Sequence, residues 1–202
     1  NAANNLGSIV VDPGSIPLLR EYSPVTDEIL QNPSDADWLT WRRTYNNQGF
    51  SNLDQINRET VSDLKLAWHQ PVTSGNNMPT PLIHDGIMFL YSAGDVVLAL
   101  DATNGELLWR YSHDGSAATS HKFGIALHEN KILVPTSDLH MVALDARSGA
   151  VLWDHAVDVG DNTGYQLRSA PTVAGGQVIQ GMAASFVPGG GFIIAIDLET
   201  GR

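Results

Sequence analysis

The chain has 202 residues, 43% of them apolar and 16% charged, which is enough to bury a core and excludes a disordered or collagen-like polymer. Eleven basic residues against twenty-two acidic ones give a formal charge of -11, so a nucleic-acid partner is not expected. Cysteine is absent, which excludes disulfides, thiolate metal sites and covalent c-type haem attachment within this chain, and no apolar run is long enough for a transmembrane segment. The chain begins NAANN, which fits a processed or excised product.

Residues 1–63 read as an irregular arm and lead-in. Asn1 to Pro33 is rich in Asn, Pro and Ser, with one short helix expected near Asp27 to Gln31. Asp35 to Arg43 is expected to form a helical turn that puts Trp38 and Trp41 on one face as packing anchors. Asn52 to Arg58 reads as a polar loop. Leu64, Leu66 and Trp68 alternate as a half-buried strand would.

Residues 64–202 read as repeating blades. ALDATNGELLW at Ala99 to Trp109 recurs forty-four residues later as ALDARSGAVLW at Ala143 to Trp153, and a third copy, AIDLETGR, runs from Ala195 to Arg202. An Asp followed four residues later by Gly specifies a tight hairpin: the carboxylate accepts local amide protons and Gly takes a positive φ. The tryptophan is expected to pack on the neighbouring unit. A first strand precedes each motif, in Pro79 to Gly86, Phe123 to Asn130 and Ser169 to Gly176. A second follows it, in Ile87 to Tyr91, Lys131 to Pro135 and Gln177 to Met182. This period predicts an all-β propeller of four-stranded blades, with the last blade incomplete. The third unit carries a six-residue insertion between Met182 and Gly191, in the loop after its second strand.

In such a ring, the residues before each first strand converge at the axial mouth. They are Met78, Lys122 and Arg168, and the two cations suit a carboxylate-bearing ligand. His121 adjoins this mouth. His84 and His128 share a repeat position on the opposite face, as structural or solvent-facing residues. His69, His113, His140 and His155 fall in no HExxH or carboxylate–histidine pattern, and the chain has no GxSxG, P-loop, strand-borne GxGxxG or EF-hand loop. No catalytic residue and no metal ligand can be named.

DWLTWRRTYNNQGFSNLDQINRETVSDLKLAW from Asp37 to Trp68, TPLIHDGIMF from Thr80 to Phe89, the tryptophan repeats and SAPTVAGGQVIQG from Ser169 to Gly181 resemble the pyrroloquinoline quinone (PQQ)-dependent alcohol dehydrogenases. The resemblance implies a propeller that is eight-bladed when complete, of which this chain supplies the first few blades. It further implies a periplasmic enzyme with PQQ in the axial funnel, calcium or a lanthanide beside it, a small alcohol as substrate and an electron-accepting cytochrome. Haem c is implied only in the portion beyond this chain, and the remaining blades must come from another chain or segment. A sugar-oxidising quinoprotein and a non-catalytic protein-binding scaffold are the alternatives.

Several positions depart from the family pattern. Its PQQ-contacting glutamate falls on Met78, its adjacent cysteines on Ala117 and Ala118, and its Asn-Arg pair on Lys122 and Phe123. Its threonine falls on Arg168, and its Ser-Gly-Ala-Glu loop on Ala183, Ala184, Ser185 and Phe186. PQQ carries three carboxylates, so Lys122 and Arg168 are expected to supply the binding cations, with Met78, Ala183, Ala184 and Ser185 along the cofactor's edge. Phe186 stands where a metal-ligating glutamate is expected, and a phenyl ring cannot coordinate a cation.

Overall fold

The structure is a computed structural model; it describes residues 7–115, 121–160, 164–184 and 187–202. Its frame is three antiparallel sheets. The first holds β1 (Leu82–His84), β2 (Ile87–Ser92), β3 (Val96–Asp101) and β4 (Leu107–Ser112), paired in that order. The second repeats it with β5 (Ala126–His128), β6 (Lys131–Pro135), β7 (His140–Asp145) and β8 (Val151–Ala156). In the third, β10 (Thr172–Ala174), β11 (Gln177–Ala183) and β12 (Phe192–Asp197) pair in sequence, and β9 (Gln166–Leu167) joins the far end of β11. Among the described residues β12 is the last strand, so the third sheet's four strands are β9 to β12. The all-β propeller reading holds.

The repeated hairpin explains the regularity. Asp101 Oδ1 accepts from Thr103 N at 2.8 Å, and Asp145 and Asp197 cap the equivalent turns through Ser148 N and Thr200 N, each at 2.8 Å. Gly105, Gly149 and Gly201 follow at φ 76°, 74° and 70°. Each glycine also makes room for an indole of the preceding unit. A Cβ on Gly149 would lie 2.7 Å from Trp109 Cε3, and one on Gly201 would lie 2.8 Å from the Trp153 ring. The indole nitrogens complete the dock: Trp109 Nε1 donates to Ala146 O at 2.9 Å and Trp153 Nε1 to Leu198 O at 3.0 Å.

Trp68 is a third docked tryptophan. Its Nε1 donates to Ala102 O at 3.2 Å, and its ring lies over Gly105. The strand expected around it is not formed. Leu64 and Leu66 are 57% and 80% exposed, and the segment pairs with no described strand. A strand exists only through its neighbours' hydrogen bonds, so alternation without a partner leaves an extended strap.

The arm is more than a covering. Its short helices are α1 (Pro17–Arg20) and α2 (Asp27–Gln31), the second where the sequence places it, with Thr26 Oγ1 accepting from Ile29 N at its N-terminus. Leu19, Tyr22, Val25, Leu30 and Leu39 are buried in one cluster with Phe89, Trp109, Ile132 and Leu144 of the first two blades. The backbone pairs as well, Ile9 with Arg110, Val25 with Glu129 and Trp38 with Ile83. That last bridge corrects the expected helical turn: extended pairing with β1 takes Trp38 out of any helix. Trp41 is then left 59% exposed, with the Arg42 guanidinium 4.7 Å from its ring centroid.

Tyr91 of β2 stitches the first two blades. Its buried hydroxyl lies 2.5 Å from Asp95 Oδ1 and 2.7 Å from Pro135 O. Burial, helped by the Asp95 charge, raises its pKa well above the phenol value, so it stays a donor. Tyr91→Phe should therefore destabilise the protein by about 1–3 kcal/mol, read as a lower urea midpoint at unchanged slope.

Candidate functional site at the mouth

Strand alternation places the lead-ins to β1 and β5, the β2–β3 and β6–β7 turns, and the loop after β11 on one face, the mouth. The β1–β2 and β3–β4 turns and their repeats form the floor. Lys122 enters the mouth from the lead-in to β5 and is 6% exposed. Its Nζ donates to Thr136 O at 2.7 Å and to Leu167 O at 2.6 Å, one carbonyl from the second blade and one from the third. An ammonium has three N–H donors, so one remains for another acceptor. Burial lowers the Lys122 pKa to about 8; Asp95 and Asp138 hold it up, and Arg168 pushes it down. The side chain is therefore cationic at neutral pH.

Arg168 stands beside it. Phe123 N donates to Arg168 O at 2.9 Å, which locks the two lead-ins together, and Arg168 Nε donates to Gln166 Oε1. Its terminal nitrogens have no protein partner among the described residues. Ala183 pairs with Gln166 in the β9–β11 ladder, so the half-buried Ala183 and Ala184 adjoin the same corner. Met78 lies in the lead-in to the first blade, 57% exposed. His121 is held by Asn76, with Nε2 3.2 Å from Asn76 Nδ2. The structure thus gathers Lys122, Arg168, Ala183 and Ala184. Ala117, Ala118, Ser185 and Phe186, also singled out in the sequence, lie outside the described residues.

A second set of mouth residues escaped the sequence reading. Asp138 accepts from Thr136 Oγ1 at 2.6 Å, lies 2.9 Å from His113 Nε2, and reaches His140 Nε2 at 4.0 Å. His140 Nδ1 meets Asp154 at 2.6 Å, and Tyr111 Oη meets His113 Nδ1 at 2.8 Å. Burial would raise the Asp138 pKa, but its bonds to Thr136 and His113 and the charges of both histidines hold it below the usual carboxylate value. His113 and His140 belong to different blades, so no local motif could link them. The available signal was an aspartate in each second-to-third-strand turn, Asp95 and Asp138. Among the described residues, no group of three or more His, Cys, Asp or Glu side chains could hold a metal ion.

The family described as "PQQ: Glucose/ethanol/alcohol dehydrogenase, beta-propeller domain" matches residues 38–202. The chain belongs to this family. It is 35% identical over 180 residues to the dehydrogenase subunit of a quinone alcohol dehydrogenase from Gluconacetobacter polyoxogenes, covering 83% of this chain and 24% of that protein. It is 34% identical over 175 residues to quinohemoprotein alcohol dehydrogenase ADH IIB of Pseudomonas putida, covering 83% and 25%. Among solved structures, the quinohemoprotein alcohol dehydrogenase of Comamonas testosteroni superposes with a TM-score of 0.78 at 31% identity, over 92% of this chain and 28% of that one. A europium-containing methanol dehydrogenase superposes at 0.77 and 28% identity, over 88% and 33%. This quinoprotein chain spans about a quarter of the length of the curated relatives it matches.

Proposed function

We propose that the whole protein is a PQQ-dependent dehydrogenase that oxidises small alcohols and passes the electrons to an external or haem acceptor. Residues 64–202 contribute its first blades, led in by residues 1–63. The observation that carries the cofactor reading is the corner where Lys122 and Arg168 meet, with one ammonium donor and the guanidinium fork left to face a ligand. A polycarboxylate fits such a donor set, because two cations match its charge and the fork can engage a carboxylate with two parallel bonds.

Lys122 and Arg168 would hold PQQ by its carboxylates, with Met78 and Ala183 to Ser185 bordering it. When bound, PQQ takes up two electrons and two protons as the alcohol becomes a carbonyl compound. The calcium or lanthanide that serves such a quinone would draw its ligands from outside the described residues. The alcohol-binding groups, the catalytic base and any haem would lie in the remaining three quarters of the protein. A periplasmic location accords with this reading, and no helix among the described residues is long and apolar enough to cross a membrane.

Trp68 supports the same completion. It docks on the first blade as Trp109 of β4 docks on the second, so residues 64–68 correspond to the outermost strand of a blade preceding the first. The exposed Leu64 and Leu66 would be covered by that blade's inner strands.

The test is quinone binding by the whole protein. Wild type should release PQQ, seen by absorbance and fluorescence, when denatured. Arg168→Ala should weaken PQQ by about 10- to 150-fold in a fluorescence titration, since a hydrogen bond to a charged group contributes about 1.5–3 kcal/mol. Lys131→Ala, on the floor, should leave the affinity unchanged. Equal affinity for wild type and Arg168→Ala would overturn the assignment. Absence of quinone, with no dye reduction after adding PQQ and calcium, would favour the scaffold alternative.

A further inference from the structure

The floor carries a feature that the cofactor reading does not use. His84 and His128, forty-four residues apart, end the first strands of the first two blades, and both are buried. Each holds an aspartate of the arm. His84 Nδ1 lies 3.3 Å from Asp37 Oδ2, and His128 Nε2 lies 3.0 Å from Asp27 Oδ1. At the third repeat the same position is Ala174, and no hydrogen bond or ion pair among the described residues ties the arm to that turn. The histidines therefore stand at the two floor turns the arm is bonded to and are missing from the third.

Most groups around His84 are acceptors; the Ser23 hydroxyl, 3.3 Å from Nε2, spends its proton on Asp85 Oδ2. On the Nε2 side are Ser23 O at 3.0 Å and Asp85 Oδ2 at 3.5 Å; on the Nδ1 side is Asp37. A neutral imidazole donates from one nitrogen only, so a carbonyl at Nε2 and a carboxylate beside Nδ1 together favour the imidazolium. Tyr22 of the arm closes the site with its ring edge-on to the imidazole, centroids 5.2 Å apart. From the second blade, Asp145 and Arg147 act on that same tyrosine. Around His128, the neighbouring charges are Asp27 and the Glu129–Lys131–Glu199 group.

We propose that His84 and His128 are the anchors that seat the arm on the propeller floor, and that protonation of His84 tightens the seat, making the arm a pH-sensitive strap. Burial opposes a charge on His84, but the Asp37 carboxylate close to Nδ1, the Asp85 charge and the Ser23 carbonyl outweigh it and raise its pKa. A raised histidine pKa gives stabilisation that is complete below about 6.5, the unfolded value, and is lost as pH rises through the folded value. The arm should thus be tightest in acid and should loosen toward alkali. Because the arm supplies Leu19, Val25, Leu30 and Leu39 to the core of the first two blades, loosening it exposes apolar surface there.

Hydrogen–deuterium exchange of residues 8–40 in the whole protein at pH 5.5 and 8.5, corrected for intrinsic exchange, tests this. Arm protection in wild type should fall by about tenfold between the two pH values, as expected for loss of one buried ion-pair contact. His84→Gln should exchange quickly at both values. Asp37→Asn, which keeps the imidazole in place, should lose most of the pH dependence. His69→Gln, at an exposed position away from the arm, should retain it. Wild-type protection that does not change with pH, or a pH dependence that survives both His84→Gln and Asp37→Asn, would overturn the proposal. These outcomes do not depend on which ligand the mouth binds.

Discussion

Trp109→Ala should lower the unfolding free energy of the whole protein by about 3–5 kcal/mol, the range for truncating a fully buried aromatic side chain. The indole is 0% exposed and sits at the seam between the first two blades. It packs over Gly149 on one side and 6.0 Å from Phe89, centroid to centroid, on the other. Truncation opens a cavity walled by two hairpins that their aspartate caps hold rigid, so little collapse can offset the loss. It also leaves Ala146 O, which accepts from the indole nitrogen, without that donor. Trp109→Phe keeps part of the packing and loses the hydrogen bond, so its cost should fall between that of alanine and zero. Urea unfolding of the whole protein, compared with the half-buried Trp153→Ala, measures the effect. A Trp109→Ala midpoint within error of wild type would mean that the seam is not held by the docked indole.

What was legible in the sequence was whatever each repeat encodes within itself. The Asp–Gly hairpin needs only its own residues: Asp145 caps the turn, Gly149 supplies φ 74°, and β7 and β8 pair antiparallel across it. The cation positions were legible because the repeat has a fixed phase, which put Lys122 and Arg168 at equivalent places without any knowledge of their partners. Those partners were not legible. Thr136 O and Leu167 O are backbone atoms and leave no mark in the sequence. The His113–Asp138–His140 contacts join blades whose residues are as much as twenty-seven positions apart. Trp38 in the arm and Leu64 to Trp68 just after it were misread for one reason: local alternation and spacing describe a surface, and only a distant strand decides whether that surface is paired.

Lys122→Met should cost roughly 2–4 kcal/mol at high pH and less at neutral pH. The substitution leaves two buried carbonyls, Thr136 O and Leu167 O, without their donor, and an unsatisfied buried group costs about 1–3 kcal/mol. At neutral pH part of that loss is offset, because the variant no longer buries a cation. The sign of the pH dependence follows from the direction of the shift. Lys122 titrates near 8 in the folded protein, lowered by burial, against about 10.4 in an unfolded chain. Between those values the unfolded chain binds more protons, so wild-type stability rises with pH through that window relative to a chain lacking the group. The neutral amine keeps two N–H donors, one for each carbonyl, so deprotonation removes the desolvated charge without breaking the clasp. The stability gap between wild type and Lys122→Met should therefore widen from pH 7 to pH 10, measured as the difference in urea unfolding free energy with all other titrations common to both. A gap that is constant over this range would show that Lys122 is not held in a desolvated seat between the second and third blades. A gap that narrows would show that its charge, rather than its hydrogen bonds, is what joins them.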